Sequence, residues 1–132
     1  MKKYLVDTDV LIDNIREKPG VADYLDSLRE WSYSVITAME LFTGAQSKKE
    51  IQKLEKFLAD YREIPLSADI GSKGRDIVRE YAKSDGMGAL DALIAATAMN
   101  EGMTLSTKNE KHFRNIEGLS LEIAKYPAEK AK

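Results

Sequence analysis

With 132 residues, 43% of them hydrophobic and 32% charged, the chain has the size and composition of one ordinary globular domain and is too short for two. It contains no cysteine, which excludes disulfides and thiolate zinc sites, and no apolar run approaches the roughly 20 residues that a membrane helix needs. A formal net charge of -2 gives no global basic field to attract nucleic acid, although an acidic site and a local basic rim can cancel in such a sum.

The N-terminal apolar stretch meets Asp7 too early for a signal peptide, so a cytoplasmic protein is expected. Lys2 to Val6 reads as a strand, followed by a short helix from Val10 to Ile15 with Thr8 or Asp9 as its cap. Pro19-Gly20 breaks the chain, and Val21, Tyr24, Leu25 and Leu28 give the three-and-four spacing of an amphipathic helix. Tyr33 to Ile36 is a second strand, and Thr37 to Ala45 a helix ending near Gly44. Ile51, Leu54, Phe57, Leu58 and Tyr61 mark another helix, and Glu63 to Leu66 a short strand. Ser67 starts a long helix through Ile70, Ile77, Val78 and Tyr81, which the Ser84-Asp85-Gly86 turn closes. Ala89 to Asn100 is apolar on nearly all sides and so is a buried helix ending at Gly102. Met103 to Ser106 and Leu119 to Ile123 are the last strands, and residues 128–132 read as a frayed tail.

Strands alternating with helices predict a three-layer α/β/α domain on a short, mainly parallel sheet, as a single domain over residues 1–132. Ligands of such sheets bind outside the carboxyl ends of the strands. Four polar residues stand at such ends or at helix starts: Asp7, Glu40, Asp91 and Asn109. A carboxylate beside apolar surface is costly unless something compensates it, and several together suggest a shared cation. Oxygen donors without cysteine favour Mg²⁺ or Mn²⁺ over zinc or copper.

Each residue also has a plainer reading. Asp91 can simply favour a helix start. Thr37-Ala38-Met39-Glu40 is a capping box on sequence alone. Asp7-Thr8-Asp9 leaves Asp9 as a cap, or echoes the Asp-x-Asp nucleophile of haloacid-dehalogenase-type phosphatases, although no Gly-Asp pair follows. A Ser-His-Asp hydrolase is poorly supported, because His112 is the only histidine and there is no Gly-x-Ser-x-Gly elbow. Basic residues such as Lys48, Lys49, Lys53, Lys56, Arg75, Arg79, Lys108, Lys111 and Arg114 are candidate rim positions, and most read equally as solvated helix faces.

Four blocks taken together resemble a known family: Val6 to Asp13, Ser34 to Leu41, Leu90 to Ala98 and Leu105 to Phe113. Their order and spacing are similar to those of PIN-domain ribonucleases, specifically the VapC-type toxins of type II toxin–antitoxin pairs. The resemblance covers roughly residues 2 to 125. It implies that Asp7, Glu40 and Asp91 bind metal, that Asn109 takes the fourth site position, and that Thr8, Thr37 and Thr107 support them. Asn109 and His112 stand where many relatives have two aspartates, which weakens a second metal site. No side chain is an obvious general base, and His112 is expected not to be catalytic.

The resemblance further implies a metal-dependent endoribonuclease that cleaves RNA with a metal-activated water. A small Asp-based phosphatase and a catalytically idle metal- or RNA-binding module are the alternatives. It also implies a homodimer inhibited by a cognate antitoxin. Tyr24, Leu28, Trp31, Leu41, Phe42 and Phe57 look too many for one small core, so part of this set is expected to form an exposed interface. An antitoxin peptide would then insert an arginine or lysine among Asp7, Glu40 and Asp91, competing with the metal.

Overall fold

The computed structural model of the chain describes residues 2–127, so the expected fraying of residues 128–132 lies outside the described residues. In chain order the elements are β1 (Tyr4–Val6), α1 (Thr8–Ile15), α2 (Val21–Ser27), β2 (Trp31–Ser34), α3 (Val35–Gly44), α4 (Lys48–Leu58), β3 (Arg62–Ile64), α5 (Ala68–Asp85), α6 (Ala89–Glu101), β4 (Thr104–Thr107), α7 (Glu110–Phe113) and β5 (Leu121–Ile123). The sheet order is β3-β2-β1-β4-β5, and every pairing is parallel. The chain lays β2 and β3 on one side of β1, then returns to place β4 and β5 on the other. The crevice between the carboxyl ends of β1 and β4 is therefore the switch point where open parallel sheets bind ligands.

Both faces of the sheet are covered, as the crossover helices of a parallel sheet require. Successive strand residues point to opposite sides. Leu5, Leu105 and Ile64 join Ile70, Ile77, Ile94 and Phe113 in one core under α5 and α6. Val6, Trp31 and Tyr33 join Val10, Leu11, Tyr24, Leu41, Leu54 and Leu58 in the other, under α1 to α4. This second core corrects the expectation of surplus apolar residues. Tyr24, Leu28, Trp31 and Leu41 are buried, and Phe42 and Phe57 pack against them. Trp31 stacks on Tyr61 with ring centroids 3.9 Å apart. The large apolar residues left exposed are different ones: Ile15, Met39, Leu66 and Leu90.

Two caps also differ from the sequence reading. Asp7 itself caps α1, accepting from the Thr8 N–H at 2.8 Å, so neither Thr8 nor Asp9 is the cap. Ser34 caps α3, accepting from the Ile36 N–H at 3.0 Å. Strand β2 therefore ends three residues after Trp31, and Val35 and Ile36 belong to a helix rather than a strand. The partner strand explains the early stop. Ser34 pairs with Ile64, and Pro65 follows with no N–H to extend the ladder. The capping box at Thr37 and Glu40 does not form, because Thr37 lies inside α3 and is completely buried. Ser67 caps α5 and Gly102 ends α6 in the left-handed region, both as the sequence suggests.

Candidate active site

Asp7 is the first residue past β1 and is only 5% exposed. Its Oδ1 accepts the Thr8 N–H, and its Oδ2 accepts the Thr107 hydroxyl at 2.7 Å. Thr107 closes β4, and the pairing of Val6 with Ser106 puts the two strand ends side by side. Burial pushes the Asp7 carboxyl up to about 7. The Asp9 charge adds to this, the hydrogen bonds from Thr107 and Thr8 oppose it, and the Asp91 charge raises it further. A carboxylate kept this close to neutrality is a strained anion that any cation would relieve.

Thr8 links this group to the next. Its hydroxyl donates to Glu40 Oε1 at 2.5 Å and lies 2.9 Å from the Thr37 hydroxyl. One residue thus holds the Asp7 carboxyl with its main chain and the Glu40 carboxyl with its side chain. Glu40 is free to take this position because Ser34, one turn before Thr37, does the capping. Thr37 faces the same point from the buried side of α3.

Asp91 sits in the first turn of α6, whose cap is Gly88, and its charge is felt at Asp7. Its Oδ2 lies 3.1 Å from His112 Nδ1 on α7, so the histidine joins the edge of this acidic group. Asn109 precedes α7, and its N–H donates to Thr107 Oγ1 at 3.0 Å. Thr107 therefore connects the fourth predicted residue to the first.

Asp9 is the member of the crevice that local reading assigned elsewhere. It is half-buried, and its Oδ2 accepts the Lys108 N–H at 3.1 Å with the Thr107 hydroxyl at 3.3 Å. Burial raises its carboxyl above the ordinary value, against the pull of the Lys108 N–H. Local pattern reveals little of this role, since its partners lie almost a full chain length away. The alternation Asp7-Thr8-Asp9 at a strand end was the available signal.

Among the described residues, no three acidic or imidazole side chains converge closely enough to grip an ion unaided. Like charges spread apart without a cation between them. The donor set nevertheless fits a hard divalent ion. It is rich in carboxylate oxygen, and Asp9 Oδ1 is buried without a hydrogen-bond partner. The basic rim is smaller than the sequence allowed. Arg75 and Arg79 are engaged with Asp76, and Lys108 with Asp13.

Comparison with known proteins agrees with this fold. Residues 4–119 match the PIN domain. The chain is 35% identical over 124 residues to Ribonuclease VapC10 of Mycobacterium tuberculosis, covering 91% of this chain and 92% of the relative. It superposes on a toxin–antitoxin complex from Klebsiella pneumoniae with a TM-score of 0.77 at 30% identity, covering 88% of this chain and 94% of the other. The DNA-bound VapBC of Salmonella typhimurium gives a TM-score of 0.81 at 27% identity, covering 92% and 98%. The chain belongs to the PIN-domain family and, within it, to the relatives of the VapC ribonucleases.

Proposed function

We propose that this chain is a metal-dependent endoribonuclease and the toxin of a toxin–antitoxin pair. The observation that carries the reading is Thr8 holding Asp7 and Glu40 together at the switch point, in a chain this similar to a named ribonuclease. Asp7, Glu40 and Asp91 would hold Mg²⁺ or Mn²⁺, with Asn109 as the fourth site residue. Bound there, the ion supplies a polarised phosphate and a water of lowered pKa. Thr107 and Thr8 orient the Asp7 and Glu40 carboxylates, so that the second lone pairs of the Asp7 oxygens and the other Glu40 oxygen would serve the ion. Burial of Asp7 keeps bulk water from screening its own charge.

The surface beside the acids supports an inhibitory partner. A groove of about 520 Å³ runs between α1, α3 and α4, lined by Ile12, Ile15, Leu41, Leu54 and Phe57, and it reaches Glu40. An amphipathic antitoxin helix would lay its apolar face there and extend an arginine to the carboxylates. The reading includes a homodimer, whose check is light scattering at micromolar concentration. Incubating the purified chain with a fluorescent single-stranded RNA, with Mn²⁺ or with EDTA, tests the activity. Metal-dependent internal cleavage is expected. Intact RNA would favour the idle module, and phosphate release from a generic monoester would favour the phosphatase.

A further inference from the structure

Lys108 is the one residue between Thr107, which holds Asp7, and Asn109. It lies along α1 and is held at two points of that helix. Its N–H donates to Asp9 Oδ2 at 3.1 Å, and its Nζ donates to Asp13 Oδ2 at 2.5 Å. Asp9 and Asp13 are four residues apart, so both carboxylates stand on one helix face, one turn apart. The Lys108 main chain grips the first turn, and its side chain reaches down to the second.

A third element closes the arrangement. After β5 the chain crosses α1 and α2, and the Tyr126 hydroxyl donates to the same Asp13 oxygen at 2.7 Å. Its ring lies 5.9 Å from Lys108 Nζ and packs against Tyr24 with centroids 5.7 Å apart. Gly20 lets the segment pass closely, since a Cβ there would stand 2.7 Å from the Pro127 carbonyl oxygen. Asp13 is itself buried, and burial works against its charge. The hydrogen bonds from Lys108 and Tyr126 outweigh that and hold its carboxyl below the ordinary range. The pair is thus buried on the Asp13 side and open to water on the Lys108 side.

We infer that Lys108, held on Asp9 and on the Asp13 carboxylate that it shares with Tyr126, is a positioning residue that sets the Asn109 loop against Asp7. The physical need is evident from the elements involved. Helix α7 has only four residues and no side-chain cap at Asn109, so apart from the Asn109 N–H bond to Thr107 little fixes where the loop begins. Strand pairing fixes β4 as far as Thr107 and no further. The lysine clamp ties the next residue to α1, the helix that Asp7 starts. The loop and the helix then keep one register, and Asn109 keeps its place relative to the acids. The C-terminal segment thereby contributes to the site without touching it.

The inference rests on the ribonuclease reading for its kinetic consequence, but not for its structural one. Three variants test it: Asp13→Asn, Tyr126→Phe and Lys108→Met. Amide hydrogen exchange, followed by NMR on the whole chain without RNA, reads the clamp directly. The Lys108 and Asn109 amides should exchange at least about tenfold faster in the variants, with Leu5 and Leu105 unchanged. Cleavage of a fluorescent single-stranded RNA with Mn²⁺ reads the consequence. We expect kcat to fall about ten- to a hundredfold with KM nearly constant, the size of effect that a small misplacement produces. Unchanged exchange at Lys108 and Asn109 overturns the clamp. Faster exchange with unchanged kcat overturns its role in positioning. If the unaltered chain cleaves no RNA at all, the ribonuclease reading fails, and the exchange result alone decides whether the clamp exists.

Discussion

Thr107 Oγ1 donates to Asp7 Oδ2 at 2.7 Å, joining residues 100 positions apart at the ends of neighbouring strands. The same oxygen accepts the Asn109 N–H, so one hydroxyl serves two site residues. Thr107→Val keeps the shape and removes both bonds. The Asp7 carboxyl, already pushed up to about 7, should rise further because a bond that lowers it is gone. The loss of a buried hydrogen bond should cost about 1–3 kcal/mol of stability. RNA cleavage should fall, and the acid limb of its pH profile should move to higher pH. A variant with an unmoved limb and full rate would show that Thr107 plays no part in tuning Asp7.

Asp7 should make the metal-free fold less stable as pH rises. Its folded value, about 7, lies above the ordinary 3.8. Between these values the unfolded chain has lost its proton while the folded chain keeps it, so stability falls across that window. Below the window the group is neutral in both states and costs nothing. Above about pH 7 the penalty is complete, up to about 4 kcal/mol on conversion of the gap between the two values. Asp7→Asn should therefore be more stable than the parent at pH 8 in EDTA and lose that advantage near pH 4, while cleaving no RNA. Urea titrations of both proteins at the two pH values measure this. An Asn variant less stable at pH 8, or one that still cleaves RNA, would contradict the assignment.

Much of this was legible because local chemistry announced it. Leu54, Phe57 and Leu58 carry the spacing that makes α4, and Ser67 and Gly102 punctuate α5 and α6 as their side chains dictate. Asp7 could be picked out because it ends an apolar strand. The choice of Ser34 over Thr37 as a cap was not legible, since it depends on where β3 stops pairing, and β3 lies in a distant part of the chain. The expectation of an exposed patch from Trp31 and Tyr24 fails because the three-layer architecture needs two cores, and these rings fill the second. Asp9 stays open between a cap and an Asp-x-Asp echo on sequence alone, because its partner, the Lys108 N–H, is 99 residues away. Pairings of that range leave no mark on spacing.

His112 should prove secondary despite its contact with Asp91. The 3.1 Å bond from Nδ1 orients a carboxylate, and the ring remains 42% exposed. His112→Ala should lose no more than about tenfold in rate, because Asp91 remains in place on α6. A loss of about a thousandfold or more, within the upper range of general acid–base effects, would instead make the imidazole a proton-transfer group.

Gly20 has a backbone φ of 86°, where other residues are strained, and the C-terminal segment lies against it. Gly20→Ala should cost at least about 1 kcal/mol from the left-handed backbone alone, and more from the clash with Pro127. The expected companion effect is faster exchange at the Lys108 amide, since Tyr126 is displaced with the segment. Denaturant unfolding showing equal stability would mean that the segment does not rest on Gly20 in solution.

The groove gives the last prediction its sharpest probe in Ile15. This residue is 45% exposed, at the far end of α1 from Asp7, and it lines the groove that reaches Glu40. Because it is already half in water, Ile15→Glu should leave folding and RNA cleavage nearly unchanged. Bound under an antitoxin helix, however, the new carboxylate would be pressed against the apolar face of that helix, and Arg16→Gln and Lys53→Gln made alongside it remove the two cations of the groove that could pair with it. An unpaired buried charge costs several kcal/mol, so affinity should fall by at least about a hundredfold. Replacing the antitoxin's arginines and lysines with glutamine separates the two parts of the partner's contact. If the acids receive a guanidinium, that change should abolish inhibition even where the apolar helix still binds. Titration calorimetry reads binding, and the RNA assay reads inhibition. Full affinity for the Ile15→Glu variant would place the antitoxin elsewhere, and full inhibition by the neutralised antitoxin would remove the competition between its cation and the metal.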